Sequence, residues 1–481
     1  MQFINDKARE RELTYEDVFL MPQYSDITSR MNVDLTPQGK LGTSLPIVIA
    51  NMNAIAGKRM AESVTRRGGL VVLPQDMSDE RLKRTVQYIK NCHKTHETPI
   101  TLQPQNTIQD ALSLIGKRSH GAVIITDHQN KPIGIFTEKD ALHRDRFTTL
   151  KEVMNHNVVT IKENIEPQEM FAFLHNNRLS LAPIIKDDGT LAGIVTKKGI
   201  IRSTIYTPAK NVHNQFLTAA AIGINKDLQK TCAFLTEIGI DIVVLDTAHG
   251  HQKRMIAAIK KVRELLGPDM PIVAGNVVTP AAVRDFVNAG ASIVKVGVGP
   301  GAMCTTRMMT GMGRPQFSAV YHCAIAAREL GAQVWADGGV RHPRDVALAL
   351  AAGASHAMVG SWVSGTHESV GDLKIDEQGK SYKENFGMAS KRAVTDRNDT
   401  DIIFKQAQRQ YFEEGISHSR MYLKPGEESV EDIIDKIAAG VRSTCAYTGV
   451  DNLSDYHDKV VVGVQTSAGY KEGKPLHQSW S

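Results

Sequence analysis

The chain has 481 residues, 42% of them apolar and 23% charged, with a formal net charge of +5. That composition fits a soluble globular protein of more than one ordinary domain, with a sizeable core. With no concentrated basic tract and no aromatic-interleaved patch it argues against a nucleic-acid specialist, and the mild positive balance points to anionic small molecules.

The N-terminal stretch MQFINDKARERELTYEDVFL has no apolar segment of signal-peptide type. No run approaches the roughly 18 apolar residues of a span, so no membrane association is expected. The five cysteines, at positions 92, 232, 304, 323 and 445, form no CxxC pair or regular framework, which suits a reducing cytoplasm. In chain order, eight short apolar runs read as strands: 46–52, 69–73, 218–224, 241–246, 271–278, 292–298, 333–337 and 356–360. Most are followed by an amphipathic stretch of helical spacing, such as 252–266 and 344–352. Runs this apolar fit strands buried on both faces, and eight strand–helix units predict a (β/α)8 TIM barrel. Several runs end in polar or glycine-rich tails, namely Asn51, the DTAHG run at 246–250, Gly275 and Asn276, the DGG run at 337–339, and Gly360 with Ser361. A barrel whose C-terminal face carries the chemistry has this pattern.

An insertion of roughly 110 residues separates the second and third strands, and it repeats internally. Its first half runs PITL (99–102), GAVIITD (121–127), PIGIFTEKD (132–140), and its second VVTI (158–161), LAPIIKDDG (181–189), LAGIVTKKG (191–199). Each half is predicted to combine a helix with a small antiparallel sheet. The chain then divides into a first part of the barrel (1–92), the insertion (93–206, split into 93–150 and 151–206), and the rest of the barrel with a flap and C-terminal segment (207–481). The pair of repeats resembles a tandem CBS (Bateman) domain, a module that often binds purine nucleotides such as ATP or GTP. The resemblance places nucleotide contacts on Thr137 and Asp140 of the first copy. The second copy keeps Thr196 but has Gly199 where the acid belongs, so one site is intact by pattern and one is not. A purely structural or oligomerisation role is the alternative.

The most informative stretch is GVGPGAMCTTRMMTGMGRPQ at 297–316, which sets Cys304 in a glycine-rich loop after the sixth strand. Backbone amides in such a loop can approach an anion or a planar ligand, and the hydroxyls of Thr305 and Thr306 follow at once. Cys304 is thereby a candidate nucleophile. The competing reading is a small buried hydrophobe in a turn. His249 and His251 lack a third ligand and read as loop histidines rather than a metal site.

A barrel interrupted after its second strand by paired repeats, with a cysteine loop after the sixth, resembles the IMP dehydrogenase and GMP reductase family. The motifs that carry the likeness are GVGPGAMCTTR (297–307), TGMGRPQ (310–316), ADGGV (336–340), MVGS (358–361), GMAS (387–390) and GVRSTCAYTG (440–449). The resemblance implies attack by Cys304 on C2 of a purine nucleotide, with Thr306 as the catalytic threonine. It implies that Asp337 holds the ribose hydroxyls and that Gly338, Gly339, Gly360 and Ser361 hold the 5′-phosphate, with the base against Met388 and Ala389. Asp246, with Asn276, would face the nicotinamide cofactor. The backbone carbonyls of Gly299, Gly301 and Cys304 would ring a monovalent cation, K+, where the family uses one. Homotetramers that pair into octamers are the implied assembly.

Two reactions share the covalent adduct, and the segment 397–416 separates them. The oxidative reaction, IMP to XMP with NAD, needs a general base for water, which IMP dehydrogenases supply as an Arg-Tyr dyad. Aligned on the EGI run at 414–416, those positions hold Thr400 and Asp401. Glu414 instead matches the glutamate of the reductases, which convert GMP to IMP and ammonia with NADPH. Two residues depart from the family pattern: Gln75 stands where lysine is usual, and Ala302 where serine is usual. The expectation is therefore a GMP reductase, with catalytic residues Cys304, Thr306 and Glu414. The alternatives are an IMP dehydrogenase, or a nucleotide sensor on an inactive barrel.

Overall fold

The computed structural model describes residues 1–3, 11–39, 41–387, 416 and 418–475. Eight parallel strands close into a barrel: β1 (Ile47–Ile49), β2 (Leu70–Leu73), β3 (Ala219–Ile222), β4 (Ile242–Asp246), β5 (Ile272–Val277), β6 (Ile293–Val296), β7 (Gln333–Asp337) and β8 (His356–Val359). Each lies inside a run expected from the sequence. The ring closes where Ala357 of β8 pairs with Ile47 of β1. Parallel pairing follows from the helical crossovers, such as Lys58–Arg66 after β1 and Lys253–Leu266 after β4. The helix that returns from β8, Val430–Tyr447, comes only after a small three-stranded sheet of Lys374–Ile375, Ser381–Asn385 and Ser419–Tyr422.

Alternation along the strands divides the core in two. Ile47, Ile49, Val71, Leu73, Ala220 and Ile222 pack outward under the helices. Val48, Val72, Ala221, Val244, Val273, Ile293, Trp335 and Met358 fill the interior. Two residues further along the same inward register stand Asp246, Gly275, Lys295 and Asp337, so the chain's period of two carries polar groups to the C-terminal mouth.

The insertion forms two sheets of the same topology. In the first, Thr101–Leu102 pairs in parallel with Ala122–Thr126, which pairs antiparallel with Pro132–Thr137. In the second, Ile161–Lys162, Leu181–Ile185 and Leu191–Thr196 repeat that order. The expected antiparallel sheet is thus mixed. The first strand of each copy reaches its neighbour through a helix, Ile108–Ile115 or Pro167–Asn176, and a helical crossover brings the next strand back in the same direction. Buried charges join the insertion to the barrel. Arg118 bonds Glu62 on the helix after β1, and Arg202 bonds Glu431, Asp432 and Asp435 on the helix Val430–Tyr447.

Candidate active site at the barrel mouth

The cysteine loop leaves the end of β6 at Gly297, where φ is +150° and a Cβ would fall 2.0 Å from the Asp337 carbonyl oxygen. Only glycine lets the loop pass so close to the end of β7. Gln316 fastens the same corner, its Nε2 donating to the carbonyls of Val296 (2.9 Å) and Asp337 (3.1 Å). Further along, the Cys304 N–H donates to the Gly301 carbonyl at 3.0 Å, and the thiol donates to Thr306 Oγ1 at 3.2 Å. The structure therefore joins the predicted cysteine–threonine pair directly. Cys304 is also exposed, whereas the other four cysteines are buried. Burial pushes the thiols of Cys92, Cys323 and Cys445 up to about 12, and raises that of Cys232. Reactivity is thus confined to one sulfur by access and by the cost of forming a buried thiolate.

Asp337 and Asp246 lie on opposite sides of an ammonium that the sequence reading passed over. Lys295, with a side chain only 3% exposed, reaches Asp337 Oδ2 at 2.7 Å and Asp246 Oδ1 at 2.9 Å, and also donates to Asn276 Oδ1. Burial works against its charge, but the two carboxylates outweigh it and hold the ammonium above the usual lysine range. Asn276 donates to Asp337 Oδ2 at 2.9 Å and to the Gly297 carbonyl at 2.6 Å, so it also ties this group to the cysteine loop. Asn51, at the end of β1, donates to Asp246 Oδ2 at 2.7 Å. The signal for Lys295 was available as the single charge in the apolar run 292–298.

The remaining predicted residues fall as follows. Gly338 and Gly339 make the turn after Asp337, and Gly360 and Ser361 stand where β8 enters the short turn Ser361–Val363. Both pairs therefore lie at the same mouth as Cys304. Met388, Ala389 and Glu414 lie outside the described residues, as do Thr400 and Asp401. Gln75 follows β2, and its carbonyl accepts from Lys226 Nζ at 3.0 Å. His251 meets Asp285 Oδ2 at 2.8 Å and His249 is exposed, as expected of loop histidines. Thr137 and Asp140 belong to the first repeat of the insertion, not to a barrel strand or its following loop. They bond each other at the end of the first repeat's last strand, Asp140 Oδ2 accepting from the Thr137 N–H (2.7 Å) and hydroxyl (2.8 Å). In the second repeat the Thr196 hydroxyl accepts from the Gly199 N–H at 2.9 Å instead, and the nearest carboxylate comes from another segment, Glu97 Oε1, 3.7 Å from where a Gly199 Cβ would stand.

Residues 12–477 match the model of the IMP dehydrogenase / GMP reductase domain. The chain belongs to that family. Among its relatives, GMP reductases of Mycobacterium bovis and Mycobacterium tuberculosis are 50% identical over 481 residues, covering all of both chains. An inosine-5′-monophosphate dehydrogenase of Nitrosopumilus maritimus is 34% identical over 470 residues, covering 96% of this chain and 98% of the relative. Among solved structures, a cysteine-to-alanine variant of GMP reductase from Trypanosoma brucei in complex with GMP matches with TM-score 0.67 and 28% identity. That match covers 99% of this chain and 100% of the other. The same organism's enzyme in complex with GTP matches with TM-score 0.57 and 26% identity, covering 95% and 98%. The mycobacterial reductases, at 50%, exceed the dehydrogenase, at 34%, over the full length, in agreement with the expectation of a reductase.

Proposed function

We propose that this protein is a GMP reductase that converts GMP to IMP and ammonia at the expense of NADPH. The observation that carries the reading is the 50% identity to mycobacterial GMP reductases across the whole of both chains, against 34% to a dehydrogenase. In the reaction as proposed, a Cys304–C2 bond forms as the bond from C2 to the exocyclic nitrogen breaks, and ammonia leaves with a proton. A nicotinamide dinucleotide bound beside Asp246 would supply the hydride that C2 takes up. The C–S bond then breaks, and its electron pair returns to the sulfur as IMP forms. Overall, GMP, NADPH and two protons give IMP, NADP+ and an ammonium ion.

The chain's own residues divide this work. Thr306, in contact with the thiol at 3.2 Å, orients the sulfur and stands where a hydroxyl can pass a proton to the departing amine. Glu414 is proposed as its partner in that transfer. Asp337 Oδ2 is engaged by Lys295 and Asn276, while Oδ1 has no hydrogen-bond partner among the described residues and suits ribose hydroxyls. The turns at 338–339 and 360–361 offer amides to the 5′-phosphate, and Met388 and Ala389 a surface for the base. The dinucleotide is assigned to Asp246, a carboxylate that fits ribose hydroxyls, and to Asn276 beside it, whose amide is bonded to Lys295, Asp337 and the Gly297 carbonyl. K+ is proposed at the carbonyls of Gly299, Gly301 and Cys304, of which Gly301 already accepts one N–H.

The insertion, 93–206, is proposed as a tandem CBS domain that regulates the barrel. Thr137 and Asp140 would take ATP or GTP in the first repeat; that a related GMP reductase, from Trypanosoma brucei, forms a complex with GTP supports GTP as a ligand without giving its place. A cytoplasmic homotetramer or homo-octamer is the proposed assembly. The deciding experiment supplies purified protein with GMP and NADPH and follows NADPH oxidation and IMP formation. Formation of NADH from IMP and NAD in the absence of that activity would make it a dehydrogenase, and nucleotide binding with neither activity would make it a sensor.

A further inference from the structure

A lysine inside a parallel barrel is out of place unless something there requires it. Around Lys295 the inward positions are apolar, with Ile293 below it on the same strand, Val273 and Trp335 on the strands beside it, and Val244 on β4, one strand further round. Burying an ammonium among them is unfavourable unless each of its protons finds an acceptor. Lys295 has three acceptors, and they come from three different strands: Asp246 Oδ1 at the end of β4, Asn276 Oδ1 near the end of β5 and Asp337 Oδ2 at the end of β7. The strand beside it reserves the space. Gly275 occupies the adjacent inward position of β5, where a Cβ would lie 2.6 Å from Lys295 Cβ.

Asp246 and Asp337 are one-fifth exposed and so reach the solvent of the mouth, while the ammonium between them does not. Without that cation two carboxylates would face each other across the barrel. Asn51 would still donate to Asp246 and Asn276 to Asp337, but neutral amides do not cancel the charge, so the carboxylates would repel or take up a shared proton and be held less firmly. We propose that Lys295 is a positioning residue that holds the substrate-ribose carboxylate, Asp337, and the cofactor-ribose carboxylate, Asp246, in one rigid unit, so that both nucleotides depend on a residue that touches neither. The inference rests on the assignment of those two aspartates to the two riboses made above. It adds that the two binding sites share one electrostatic keystone, whose loss weakens both ligands at once.

The test uses the full-length protein and four variants, Lys295→Met, Lys295→Arg, Asp337→Asn and Asp246→Asn. Calorimetry with GMP and with NADP+ measures binding apart from turnover, and steady-state kinetics give KM and kcat. Asp337→Asn is expected to weaken GMP alone, and Asp246→Asn to weaken the dinucleotide alone. Lys295→Met is expected to weaken both, each by roughly tenfold. Lys295→Arg, which keeps the charge, should restore both to within a few-fold of wild type. Should Lys295→Met fail to fold, Lys295→Gln takes its place, with both affinities again expected to fall and Arg again to rescue. If the lysine variants change only one ligand, or neither, the positioning role is refuted even though the aspartates behave as assigned. If instead the aspartate variants leave both ligands unchanged, the ribose assignment fails, and the proposal built on it fails for that separate reason.

Discussion

Removing the carboxylate of Glu62 should loosen one of the two charged ties between the inserted repeats and the barrel, and the size of the effect follows from its surroundings. Glu62 is fully buried on the helix Lys58–Arg66 and accepts from Arg66 Nη2 (2.5 Å), Tyr88 Oη (2.6 Å), the Thr98 N–H (2.9 Å) and Arg118 Nη2. Burial opposes its charge, but Arg118 and Arg66 prevail and hold the carboxyl well below the usual range. The two guanidiniums depend on it. Arg66 Nη1 and Arg118 Nε and Nη1 are buried and have no partner, so Glu62 is their main compensation. Glu62→Gln keeps the shape and deletes the charge, and stranding buried cations in this way costs about 3–5 kcal/mol. With a urea m-value of about 3 kcal/mol/M, the midpoint should fall by about 1–1.7 M. Hydrogen exchange should show the loss of protection first around residues 97–98, where the linker enters the insertion. The pair Glu62→Gln with Arg118→Met should be less destabilised than the two single changes added together, because the stranded charge goes with its partner. A midpoint within ~0.2 M of wild type, or strict additivity in the double variant, would refute the reasoning.

Three further outcomes are expected. Cys304→Ala should lower turnover by roughly 10³-fold or more while GMP binding persists, and retained turnover would exclude the covalent step. A thiol reagent at neutral pH should label one cysteine of the five quickly in wild type and none in that variant; fast labelling of two or more would contradict the burial of the others. Burial holds His356 at about 3, so the folded protein keeps it neutral while the unfolded chain takes a proton near 6.5. Its contribution is present above that value and is lost as the pH falls, by up to ~1.4 kcal/mol per unit. Melting temperatures should therefore drop from pH 7.5 to 5.5, and more shallowly in His356→Asn; an identical slope would count against it.

All eight barrel strands were legible because parallel strands buried on both faces leave largely apolar runs, such as 70–73 and 242–245. Cys304, Thr306 and Asp337 were legible because glycines and polar residues mark the strand ends where chemistry sits. Lys295 stands out as the single charge in its run, but the run does not show what that charge meets, since its carboxylate partners are 42 and 49 residues away in sequence. The strand direction within the repeats was also hidden. Pairing there is decided by the helix between two strands, not by their composition. The pair Thr137 and Asp140 was found by pattern, yet the structure adds that each is held by the other, which gives the motif a local structural job beside any nucleotide contact.

The direction of the reaction is the central claim, and one assay decides it. Purified protein with GMP and NADPH should consume NADPH and release IMP and ammonia in equal amounts, while IMP with NAD gives no NADH. Formation of NADH and XMP from IMP, with no NADPH consumed on GMP, would contradict the account.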